Sequence, residues 1–95
     1  MAFGIIRFVP GGTKEQYDNS VAALRLRGWT PTQGLLFHAA GPSGDGWTIV
    51  AVYDSKASWE HFRDEILGPC LRSGIAGGFT TRPEESEVDI YELSR

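Results

Sequence analysis

Residues 34–71, GLLFHAAGPSGDGWTIVAVYDSKASWEHFRDEILGPCL, read as strand, turn, strand and helix in unbroken succession, and that succession decides the fold. Leu35, Leu36, Phe37, Ala39 and Ala40 form an apolar run suited to burial on both faces, interrupted by His38. The cluster at 41–46 combines glycines free to take positive φ with Pro42, which lacks a backbone donor, so the strand is expected to stop there and turn. Residues 47–53 are β-branched, small or aromatic and predict the central strand. Asp54 and Ser55 are N-cap candidates for the helix that follows. Trp59, Phe62 and Ile66 make its apolar stripe, with Glu60, Arg63 and Asp64 opposite, and Gly68 with Pro69 predicts its end.

The flanks repeat the pattern. Residues 3–9 read as a strand closed by Pro10, Gly11 and Gly12. Thr13 and Gln16 have the spacing of a capping box, Tyr17, Val21 and Leu24 form the buried stripe of the helix behind it, and Gly28 is its expected stop. Residues from 79 onward, above all 87–93, alternate as a last strand would. The order βαββαβ is that of an α+β, ferredoxin-like fold, a four-stranded antiparallel sheet with both helices on one face.

The second sheet face then needs a cover. A chain of this size buries roughly 60 to 65 % of its unfolded surface. Leaving several hundred Å² of apolar sheet bare forgoes on the order of 10 kcal/mol, as much as a domain's net stability. Two sheets closing face to face as a two-fold dimeric barrel, helices outside, meet that need.

The segments GLLFHAAGP and GWTIVAVYDSKASWEHF, then a GP and a glycine-rich loop before the last strand, resemble small bacterial proteins of the dimeric α/β-barrel superfamily over nearly the whole chain. That superfamily includes cofactor-independent monooxygenases of antibiotic biosynthesis, haem-degrading enzymes, chlorite dismutase relatives, muconolactone isomerases and members without assigned activity. The resemblance implies the fold and a homodimer, and places the chain beside antibiotic biosynthesis monooxygenase-like proteins of unassigned activity. It carries no catalytic motif over position by position.

Nine basic residues against twelve acidic ones and a pI near 5.2 leave no electrostatic support for nucleic acid or an anionic membrane as partner. No apolar run approaches the ~20 residues of a membrane span, and no charged segment precedes an apolar one at the N-terminus, so a cytoplasmic location is expected. One cysteine, Cys70, is no internal disulfide and no metal site. Residues 1–95 are expected to form a single domain without repeats.

Chemistry centres on His38. Among apolar neighbours its pKa is tuned by desolvation, which suits a general base, with haem ligation as a lesser alternative and a packed core or interface histidine as the competing reading. A symmetric turn puts Tyr53 on the same sheet face, with Trp47, Ile49 and Ala51. His38 and Tyr53 as catalytic groups beside Trp47 would suit proton transfer on a flat, acidic aromatic such as a phenol or polyketide quinol. Arg7, inside the first strand, is expected to bind a substrate carboxylate or to pair with an acid of the last strand such as Asp89. Trp29, in the irregular 28–33 loop, borders the expected pocket, and so does the loop at 71–85. His61 is expected at the solvent side of its helix or at the edge of the apolar stripe, and Glu84, Glu85, Ser86 and Glu87 as a solvated loop rather than a cation site. The enzyme expected is a monooxygenase or isomerase that needs no cofactor and no metal. The alternative is a non-enzymatic dimer that binds a small molecule or a protein.

Overall fold

The computed structural model describes residues 1–31 and 33–94. Its elements are β1 (Phe3–Pro10), α1 (Lys14–Leu26), β2 (Leu35–Ser43), β3 (Gly46–Tyr53), α2 (Lys56–Phe62), a π-helical turn (Arg63–Leu67), α3 (Gly68–Ser73) and β4 (Glu84–Asp89). The strands form one antiparallel sheet in the order β2-β3-β1-β4. This is the ferredoxin-like α+β arrangement, with β3 and β1 central.

Register sorts the side chains. Phe3, Ile5, Arg7 and Val9 stand opposite Tyr53, Ala51, Ile49 and Trp47. Phe3, Ile5, Ala51 and Tyr53 share the core with Leu24 of α1 and with Trp59, Phe62, Ile66 and Cys70 of the second helical segment. This is the helix-covered face. On the other face lie Ile6, Val50, Phe37 and Val88, of which Ile6, Phe37 and Val88 are 39, 44 and 41 % exposed.

Three boundaries differ from the sequence expectation, each for a physical reason. β2 does not stop at Gly41 but runs to Ser43, and the turn shrinks to Gly44 and Asp45. Pro42 is tolerated because β2 is an edge strand, where a missing N–H can face away from the ladder, and Gly44 takes the left-handed conformation at φ 54° that the tight turn requires. The edge position also leaves β2 largely exposed instead of buried on both faces. Gly68 and Pro69 do not end the second helix, which continues to Ser73. The intervening π turn has Gly68 N–H bonded to Arg63 C=O, five residues back, so Pro69 opens a new α segment at a position where its absent donor is not missed. The last strand spans Glu84–Asp89, not 87–93: the acidic run expected as a loop is strand, and Tyr91 lies beyond it, fully exposed. β4 is the other edge, so its charged side chains stay in water.

Candidate functional site

α1 begins with the expected capping box: Gln16 N–H donates to Thr13 Oγ1 and Thr13 N–H to Gln16 Oε1, both at 3.1 Å. The cap fixes the first turn and with it Tyr17, whose side chain crosses to edge strand β2. There its hydroxyl meets His38 Nε2 at 3.2 Å, and its ring packs on Trp47 with centroids 5.3 Å apart. The other end of α1 closes in a Schellman motif. Gly28 N–H donates to Arg25 C=O, Trp29 N–H donates to Leu24 C=O, and Gly28 sits at φ 90°. That turn throws Trp29 back onto the core against Phe62, centroids 6.2 Å apart.

His38 stands opposite Ala51, on the helix-covered face. Between the α1 edge, β2 and the Trp29 loop lies an open groove of about 440 Å³, bordered by Tyr17, Asp18, Arg25, Trp29 and His38. Behind it, under α1, is an inner chamber of about 60 Å³ whose walls include Arg7, Tyr17, Trp29, His38 and Tyr53. Groove and chamber share Tyr17, Val21, Trp29 and His38, so they adjoin at those side chains. Of the sequence-derived site residues, Arg7, Trp29, His38 and Tyr53 converge on this space. Trp47 does not line it; it is buried behind Tyr17, and its Nε1 is a sealed donor without a partner among the described residues. Tyr17, Asp18 and Arg25 were not among those residues. The sequence pattern puts Tyr17 on the buried stripe of α1 as packing, and its polar tip is the signal that points to the site.

Burial sets the protonation states. Desolvation pushes His38 below its ordinary value of 6.5, so the imidazole is neutral near pH 7 and holds a lone pair. The residue is nonetheless exposed overall, and its hydrogen bond with Tyr17 lies at the surface. Tyr17 is pushed up by burial and by the neighbouring Asp18 carboxylate. Tyr53, buried in the core, is pushed up to about 12 by desolvation, against the opposing pull of Arg7. Both phenols therefore stay protonated at neutral pH. Tyr53 can orient a ligand by donating a hydrogen bond but cannot serve as a base.

Arg7 Nε donates to Glu85 Oε2 at 2.9 Å, its cross-strand neighbour in β4, and not to Asp89. The Arg7 side chain is 15 % exposed. His61 is exposed on α2, away from this space. Among the described residues no group of three or more His, Cys, Asp or Glu side chains is placed to hold a metal ion. No helix there is long and apolar enough to cross a membrane.

No family model matches the chain, and no curated protein matches it in sequence. Solved structures do match in fold. A candidate antibiotic biosynthesis monooxygenase from Chloroflexus aurantiacus superposes with a TM-score of 0.66 at 18 % identity, covering 100 % of this chain and 98 % of that one. A dimeric ferredoxin-like protein of unknown function from Jannaschia sp. CCS1 gives 0.62 at 14 %, covering 95 and 100 %. SnoaB, a cofactor-independent oxygenase from Streptomyces nogalater, gives 0.61 at 12 %, covering 97 and 94 %. Along almost its whole length, then, the chain has the ferredoxin-like fold seen in dimeric and antibiotic biosynthesis monooxygenase-like proteins.

Proposed function

We propose that this chain is the subunit of a homodimeric enzyme that acts on a small acidic aromatic without a cofactor, as an oxygenase. The observation that carries the proposal is the adjoining groove and chamber, both lined by a neutral His38 and Trp29, with Arg7 and Tyr53 in the chamber wall. Fold likeness to a cofactor-independent oxygenase supports the choice of reaction. In the proposed reaction the ring lies in the groove against Trp29, and an imidazole nitrogen of His38 accepts the phenolic proton. If Nε2–H donates to the Tyr17 oxygen, Nδ1 is that nitrogen. The ring anion gives electrons to dioxygen and a C–O bond forms. Loss of water from the resulting hydroperoxide breaks the O–O bond and leaves a carbonyl. For a naphthol the balance is naphthol plus dioxygen to naphthoquinone plus water.

The subunit is proposed to pair through its open sheet face, where Ile6, Phe37 and Val88 are exposed, closing a barrel with a second copy. A dimeric neighbour of the same fold supports the pairing. Residues 1–95 are proposed to act as one domain, in the cytoplasm, where a thiol such as the buried Cys70 stays reduced.

The test is dioxygen uptake by the purified protein over a panel of hydroxylated naphthalenes and anthracenes. Uptake that His38→Ala lowers by about 10²–10⁴, with the fold retained, supports the proposal. Solvent deuterium entering the substrate with no dioxygen consumed would instead mark an isomerase. A second reading, a non-enzymatic binder, is favoured by Tyr53, whose phenol stays protonated; saturable binding without either reaction would establish it.

A further inference from the structure

Groove and chamber differ too much in size to take the same part of a ligand. The chamber's 60 Å³ holds on the order of four or five water-sized probes, enough for a carboxylate or a single ring oxygen but not for an aromatic ring. The groove's 440 Å³ is ample for one or two fused rings. Arg7 stands in the chamber wall and also lines a second interior space of about 60 Å³, on the Phe79 side of α1. Its guanidinium has five N–H donors. Glu85, opposite Arg7 in β4, engages Nε, and the two Nη groups have no protein acceptor among the described residues. They are not sealed either, since the fully buried side-chain polar atom that lacks a partner there is Trp47 Nε1. A cation with unfilled donors, anchored at one end and facing a space of this size, is a receptor for an oxyanion. Tyr53, a neutral phenol, lines the same chamber.

We propose that the chamber is an oxyanion pocket, in which Arg7 and Tyr53 take the ionised oxygen of an aromatic carboxylate or enolate while the ring stays in the groove against Trp29. This rests on the functional proposal above for the groove, and it narrows the substrate class to aromatics with an acidic oxygen-bearing head group. Glu85 is a positioning residue: it holds the guanidinium so that its open edge faces the chamber.

The test compares 2-naphthoate with its neutral isostere 2-naphthamide, and acetate as the head group alone, by NMR titration of the wild-type protein and of Arg7→Gln. The expected result is naphthoate binding at least 10-fold more tightly than naphthamide, acetate perturbing the Tyr53 and Arg7 signals, and the preference vanishing in Arg7→Gln while naphthamide affinity is kept. If Arg7→Gln does not fold, Arg7→Lys, which keeps the charge and loses the fork, is expected to reduce the preference several-fold. Equal binding of the two naphthalenes overturns the oxyanion pocket and leaves the groove proposal standing. Perturbation by acetate, with neither naphthalene binding more tightly than acetate, supports the pocket and overturns the groove. A preference that survives Arg7→Gln overturns the assignment of Arg7.

Discussion

Phe62→Ala probes the wall that separates chamber from core. Phe62 is 8 % exposed and lies against Trp29, Tyr53 and Trp59, with ring centroids 6.2, 6.4 and 5.9 Å away. Truncating a buried phenylalanine costs about 3–5 kcal/mol in transfer and cavity terms. Three aromatic pairs, each worth about 0.5–1.5 kcal/mol, place this site at the upper end of that range. A domain of this size has roughly 5–15 kcal/mol of net stability and loses about 4–8 °C of melting temperature per kcal/mol, so a drop of about 20–30 °C is expected. Urea unfolding, with the midpoint lowered at unchanged slope, measures it. Leu71→Ala is the control, because Leu71 is 55 % exposed and should move stability by less than about 0.5 kcal/mol. If the two variants unfold within 1 kcal/mol of each other, Phe62 is not packed as described and the chamber has no such wall.

Gly46→Ala drives a Cβ into the Val9 carbonyl oxygen, whereas Gly41→Ala meets nothing within 4 Å; the first should lose about 1–3 kcal/mol in thermal melts and the second almost nothing. His38 binds its proton more weakly folded than unfolded. Its contribution to stability is therefore intact above pH 6.5 and is lost as pH falls through the lower folded value, an acid limb that His38→Gln should flatten in melts from pH 8 to 4. Phe37→Asp on the open sheet face should shift sedimentation from dimer to monomer without unfolding the subunit, while an unchanged dimer would place the interface elsewhere. Tyr17→Phe keeps the ring on Trp47 and removes the hydroxyl from His38 Nε2. The exposed bond makes this a loss of no more than about 1 kcal/mol, so a clear fall in turnover at nearly unchanged stability would assign Tyr17 to the site.

Element types could be read from sequence because short-range signals agreed with the tertiary need: the Thr13–Gln16 box, Ser55 accepting from Ser58 N–H, and the β-branched run of β3 all sit where expected. Boundaries went astray where sheet position overrode a local rule. Pro42 is a breaker in a central strand and harmless on an edge. Pro69 ends a regular helix, yet here burial of Ile66, Leu67 and Cys70 holds the chain helical through a π turn. The acidity of the 84–87 run points to a loop, but an edge strand keeps its charges in water. The shared face of His38 and Tyr53 followed from the period of two, and the observed register, shifted by two residues from the symmetric turn, preserves it. Tyr17 meeting His38 was not legible, because it depends on how α1 crosses the β2 edge, and no spacing in the sequence encodes that crossing.

The most direct test of the central claim, that the groove at His38 receives an acidic aromatic, is a crystal structure of the protein soaked with 1-hydroxy-2-naphthoate. The expected density places the rings in the groove beside Trp29, with the hydroxyl within hydrogen-bonding distance of His38 and the carboxylate directed at Arg7. Density elsewhere, or a groove filled by a partner subunit with His38 inaccessible, would contradict the claim and leave His38 as an interface residue.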